Sequence, residues 1–114
     1  LVVAIGFLGM GAVGISKPKL LAKSFDGKAE TVNARNEVRA VYGGFGLCIG
    51  CLLLLAAPLL PNLEQGIYFA VGISLAGMAL GRLISSLVEM PGKLPWLYMI
   101  IEALAASALC LQAL

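Results

Sequence analysis

The sequence predicts an all-α integral membrane protein: a four-helix up-and-down bundle with an interfacial loop helix between helices one and two. Three observations carry that reading. Of 114 residues, 61% are hydrophobic and 12% charged, against roughly 45–50% and about 25% in soluble domains. Mean hydropathy is +0.99, so too little polar surface remains to coat a domain of this size in water. The charges are also clustered, and 1–16, 40–63 and 65–81 contain none.

Each charge-free run is a candidate span. A fourth apolar run, from about Leu94 to Leu114, carries a single charge, Glu102. At 1.5 Å per residue it is long enough to cross a core of roughly 30 Å. The first run has only sixteen residues, about 24 Å of helix, and the chain begins with Leu1. Helix one is therefore expected to continue upstream. Its Gly6, Gly9, Gly11 and Gly14 suggest a packing face rather than a signal-peptide core.

Helix breakers fall between the runs: Lys17-Pro18 after helix one, Pro61-Asn62 after helix two, and Pro91-Gly92 with Pro95 before helix four. Residues 61–66 and 90–94 are short links that suit antiparallel neighbours, and 1–114 reads as one domain. The 17–36 segment is longer and polar. Within it, Pro18 to Phe25 is expected to form the interfacial helix, with Leu20, Leu21 and Phe25 on the lipid and Asp26-Gly27 ending it. A continuous helix is expected from about Ala29 to Leu60.

Four spans place all eight Lys and Arg residues on or near one side. The positive-inside bias makes that side cytoplasmic and leaves both termini outside, as in a multi-pass protein of the inner membrane. This asymmetry argues against the dual topology of small multidrug exporters, which also carry a glutamate in helix one where this chain has none. The loop lysines are a topology signal and a contact for anionic lipid. The lipid bilayer is thus the first expected partner, and no nucleic acid is expected.

The chain has no histidine, which takes away the commonest general base and metal ligand and counts against hydrolytic triads and most zinc or haem sites. No catalytic residue and no metal ligand is assigned. Cys48 and Cys51 form a C-x-x-C, but they lie well inside a span, where apolar surroundings disfavour thiolate. The simpler reading is a pair of small apolar residues in a packed helix.

Ionisable groups at membrane depth are costly and usually face a bundle interior. Here they are Glu37 and Arg39 entering helix two, Arg82 late in helix three, and Glu102 in helix four. Arg82 and Glu102 both lie roughly 10 Å from their cytoplasmic helix ends, which makes them candidate partners. Arg39 shares a face with Gly43, Gly46 and Gly50 at 100° per residue, a stripe that permits close helix approach. Tyr42 lies beside it. Glu37 lies on the opposite side, toward the first loop or the helix N-terminal dipole. Glu102 shares its face with Ala105, Ala106, Leu109 and Ala113.

The cluster Glu37, Arg39, Tyr42, Arg82 and Glu102 admits three readings. It is a buried polar network, with Asn36 and Ser85 completing its hydrogen bonds. Alternatively it lines a cytoplasm-facing pocket for an anionic headgroup or small acid. The third reading makes Glu102 a proton carrier.

The stretch Asn36-Glu37-Val38-Arg39-Ala40-Val41-Tyr42-Gly43-Gly44, followed by Gly77-Met78-Ala79-Leu80-Gly81-Arg82 and then Glu102, resembles an uncharacterised bacterial domain-of-unknown-function family of four-helix membrane proteins. That family is grouped with DoxX-like proteins. The resemblance covers nearly the whole chain. It implies a four-helix bundle in the bacterial inner membrane and brings no established activity, substrate or catalytic residue. Some DoxX-like relatives are linked to quinone-coupled sulfur oxidation, which would suit the C-x-x-C loosely.

Two function classes follow. One is a binding or accessory module that holds a lipid, a quinone or a small anionic ligand, or that packs into a homo-oligomer or larger membrane complex. The other is a redox or quinone-linked subunit using Cys48 and Cys51, with a small transporter using Glu102 behind it. No cofactor is specified by these residues.

Overall fold

A computed structural model describes residues 1–89 and 93–114, with side chains for all of these but 93–95. Regular structure among them is entirely helical: α1 (Val2–Ser16), α2 (Pro18–Lys23), α3 (Val32–Leu59), α4 (Glu64–Val88) and α5 (Lys93–Ala113). Three helices are long and apolar enough to cross a membrane: α3, α4 and, from Trp96, α5. The fourth expected span, α1, is apolar and has fifteen residues in this chain, about 22 Å of helix. The 61–66 link is shorter than expected, because α4 already starts at Glu64. Pro91-Gly92 lie outside the described residues. Pro95, expected with Pro91-Gly92 to separate the last two helices, falls in the first turn of α5, where a missing N–H costs no helical hydrogen bond.

The chain divides into two compact units, Leu1–Ala57 and Pro58–Leu114. In the first, α1 packs on the N-terminal half of α3 through backbone. A Cβ on Gly14 would lie 2.8 Å from the Gly43 nitrogen, and one on Gly11 would lie 2.6 Å from the Leu47 nitrogen. Added Cβ atoms on Gly46 and Gly50 would press on α1 in the same way, at 3.0 Å from the Phe7 carbonyl and 2.6 Å from Leu8 Cγ. Glycine is required there because any side chain would push the two helices apart. Gly6 and Gly9 differ from the sequence expectation, since a Cβ on either meets nothing within 4 Å. Only half of the α1 glycine set is therefore a packing face.

Between these helices the chain turns twice. Lys17 leaves helical geometry with φ −135° and ψ 67°, and Pro18 opens α2 at a position whose N–H is not needed. At the other end of α2, Gly27 N–H donates to the Ala22 carbonyl at 2.8 Å and Asp26 N–H to the Lys23 carbonyl at 3.2 Å. This is the Schellman pattern. Its left-handed residue is Asp26, with φ 60°, so the helix ends at Asp26-Gly27 as expected. Thr31 then caps α3 by accepting the Ala34 N–H at 3.0 Å, as a hydroxyl does at a helix start.

A small core of Ala22, Ala29 and Val38, with Leu21, Ala34 and Tyr42 against it, holds α2 beside the start of α3. Leu21 and Phe25 therefore differ from their expected lipid-facing roles. Leu21 packs on this core, and Phe25, though 41% exposed, stacks on Tyr42 with ring centroids 5.3 Å apart.

In the second unit α4 and α5 form an antiparallel hairpin. Val71, Gly72, Leu75, Ala79 and Ser86 are buried on α4, and Glu102, Ala106 and Leu109 on α5. Large apolar side chains point outward instead, including Ile73, Leu80, Ile84, Leu104 and Leu111. Small residues inside and large apolar residues outside suit a lipid surround, where helices associate by close packing rather than by escape from water.

Candidate functional site

Arg82 on α4 and Glu102 on α5 come together as their matched depth predicts. Nε of Arg82 donates to Oε1 of Glu102 at 2.7 Å, and Nη2 donates to Oε2 at 3.0 Å. This parallel two-point contact is the strongest geometry open to an arginine and a carboxylate. Glu102 is 8% exposed as a residue, and the Arg82 side chain 32%. The guanidinium also lies over the Tyr98 ring, 5.3 Å from its centroid, where the negative face of the ring attracts the cation. Tyr98 sits four residues before Glu102, one helical turn away on the same face.

Of the two serines at the end of α4, the buried one is Ser86, and its Oγ donates to the Leu83 carbonyl at 2.7 Å. Ser85, the expected partner, is exposed. The reason is helical phase: Ser86, seven residues after Ala79, continues the buried stripe of Gly72, Leu75 and Ala79, and Ser85 falls about 100° off it.

In the first unit the remaining sequence candidates lie near the start of α3. Arg39 to Gly44 form a π-helical segment within that helix, and they include both Arg39 and Tyr42. Phe45 N–H reaches back to the Ala40 carbonyl, the i→i−5 bond of such a turn. Counting at 100° per residue misses this widening, which shifts the phase of residues before Phe45 against those after it.

Arg39 is exposed within its unit, and its Nε donates to the Ile15 carbonyl at 3.3 Å. That carbonyl is among the last four of α1, which have no partner inside the helix. A cation there also meets the negative end of the helix dipole. The neighbouring carbonyls are satisfied too, Ala12 by the Ser16 hydroxyl and Val13 by the Lys17 N–H. Tyr42 is half-buried between Phe25 and the small α2–α3 core. Glu37 and Asn36 are exposed, more than a turn beyond the Thr31 cap.

Cys48 and Cys51 are free thiols, exposed on α3 away from its Gly46 and Gly50 face. They take no part in the α1 contact, unlike the packed role expected for them. Cys110 is the cysteine that packs: a Cβ on Gly72 would lie 2.7 Å from its Sγ. Among the described residues no group of three or more His, Cys, Asp or Glu side chains is placed to hold a metal ion.

Residues 1–113 match the family described as a domain of unknown function, DUF4345. The chain belongs to the DUF4345 family. No curated protein and no solved structure matches it. Two contributors to the DUF4345 chain's polar sites escaped the sequence reading. Tyr98 was detectable, because its four-residue spacing from Glu102 puts both on one face. Arg35, which donates from Nη1 to the Ala29 carbonyl at 3.2 Å, was not, because that bond depends on how the 24–31 turn folds back.

Proposed function

We propose that this DUF4345 protein is a multi-pass protein of the bacterial inner membrane that works as a binding or accessory module, not as a catalyst. Its lysine-rich side faces the cytoplasm and both termini lie outside. Its apolar helices form an up-and-down bundle, supported by the tight 60–63 turn and by the α4–α5 hairpin. Within the first unit, Arg39 and Tyr42 at the start of α3 serve a cytoplasm-side site for a lipid-like or small anionic ligand, while Arg82 and Glu102 belong to the second unit.

The observation that carries this reading is the π-helical segment Arg39–Gly44. Such segments are uncommon and are frequent at functional sites, and this one holds the arginine and the tyrosine that the sequence singles out. Glu102, by contrast, has both carboxylate oxygens engaged by Arg82. That pair fits a lock between α4 and α5 better than a proton carrier. Arg39 meets a carbonyl rather than a carboxylate, so its charge suits an incoming anion.

The deciding experiment is mass spectrometry of small molecules retained by the gently solubilised protein, comparing the native chain with Arg39→Ala. Loss of a retained ligand with little change in thermal stability supports the site, because an exposed cation at a helix end contributes only about 0.3–1 kcal/mol. Identical retention by both proteins refutes it. A redox role for Cys48 and Cys51, the rival reading that a grouping with DoxX-like proteins would suit, predicts instead a thiol titration that changes with oxidant.

A further inference from the structure

The first unit contains a cleft of about 490 Å³ between the last two turns of α1 and α2, within the roughly 300–1,000 Å³ of ligand clefts. Gly9, Met10 and Val13 line it from α1, and Leu20, Leu21, Lys23 and Ser24 from α2 and the residue after it. Gly9 helps to keep the space open, since a Cβ there meets nothing within 4 Å. The cleft lining is apolar apart from Lys23 and Ser24.

The carbonyl groups at the end of α2 already have hydrogen-bond donors, which leaves the Lys23 ammonium as the charged donor of the cleft lining. The Leu21, Ala22 and Lys23 carbonyls all accept hydrogen bonds from the turn that follows. Around it the first unit carries Lys17, Lys19, Lys23, Lys28, Arg35 and Arg39 against Asp26, Glu30 and Glu37, six cations less three acids, for a net charge of +3. An apolar cleft with a single cation in its lining matches an amphipathic anion, with a hydrocarbon chain against the apolar residues and a phosphate at the lysine.

We propose that the α1–α2 cleft seats an anionic phospholipid of the surrounding bilayer, with one acyl chain against Gly9, Met10 and Val13 and its headgroup phosphate at Lys23. This site is separate from the Arg39 site and does not depend on it.

The test reconstitutes the full chain in phosphatidylcholine bilayers with and without phosphatidylglycerol, extracts it gently, and counts retained lipids by native mass spectrometry. The native protein should retain phosphatidylglycerol in preference to phosphatidylcholine. Gly9→Phe, which fills open space, should abolish that preference without lowering the melting temperature. Lys23→Gln should weaken it about fivefold, the effect of one surface cation on an anionic lipid. Arg39→Ala should leave it in place, which separates this result from failure of the other site. If Gly9→Phe does not fold, Lys23→Gln alone decides. Unchanged preference in Lys23→Gln, equal retention of both lipids by the native protein, or a second protein chain in place of lipid overturns the proposal.

Discussion

Arg82 grips Glu102 through two parallel hydrogen bonds, at 2.7 and 3.0 Å, and so joins the last turns of α4 to the first half of α5. An ion pair at this depth is costly to desolvate, and what protects it is that each partner neutralises the other.

Removing one partner leaves the other uncompensated. Glu102→Ala should cost about 3 kcal/mol, the low end of the range for broken buried pairs, because the Arg82 side chain is 32% exposed. The double variant Arg82→Met with Glu102→Leu should cost less than either single change. A double-mutant cycle on unfolding in mild detergent measures this, and strictly additive losses would show that the pair does not couple.

Glycines divide sharply by position. A Cβ on Gly14 would meet the Gly43 nitrogen and Cα at 2.8 and 2.9 Å, atoms that cannot give way. Gly14→Ala should therefore destabilise the first unit by about 1–3 kcal/mol, as overpacking does. Gly9→Ala should be stabilising by about 0.5–1 kcal/mol, through the lower entropy of the unfolded chain. Melting temperatures that fall equally for both would contradict the α1–α3 contact.

Cys48 and Cys51 are exposed, whereas Cys110 lies against Gly72. Replacing Cys48 and Cys51 together by Ser should change stability by no more than about 0.5 kcal/mol, as surface changes do. In detergent, a maleimide should label both before Cys110. Faster labelling of Cys110, or a disulfide between Cys48 and Cys51 in the isolated protein, would count against this arrangement.

Topology is open to a direct test. A dual reporter fused after Leu114 should give high alkaline phosphatase activity and no cytoplasmic fluorescence, because the proposed four spans would leave Leu114 on the side away from the cations. The reverse pattern would invert the orientation.

Composition and charge spacing alone determined the helical class, the apolar segments and the partnership of Arg82 with Glu102. An apolar surround tolerates few charges, so the gaps between charges outline helices, and helix rise converts residue counts into depth. The Gly43, Gly46 and Gly50 face was legible for a related reason, since small residues at helical spacing leave room for a neighbour. Tertiary structure alone decided that Gly11 and Gly14 pack while Gly6 and Gly9 stay open, that Phe25 turns onto Tyr42, and that Asp26 takes the left-handed turn position. It also decided that Arg39 to Gly44 widen into a π segment with Arg39 bonded to the Ile15 carbonyl. Those outcomes depend on which surface is pressed against which, and helical periodicity carries the faces of a helix but not the identity of its neighbours.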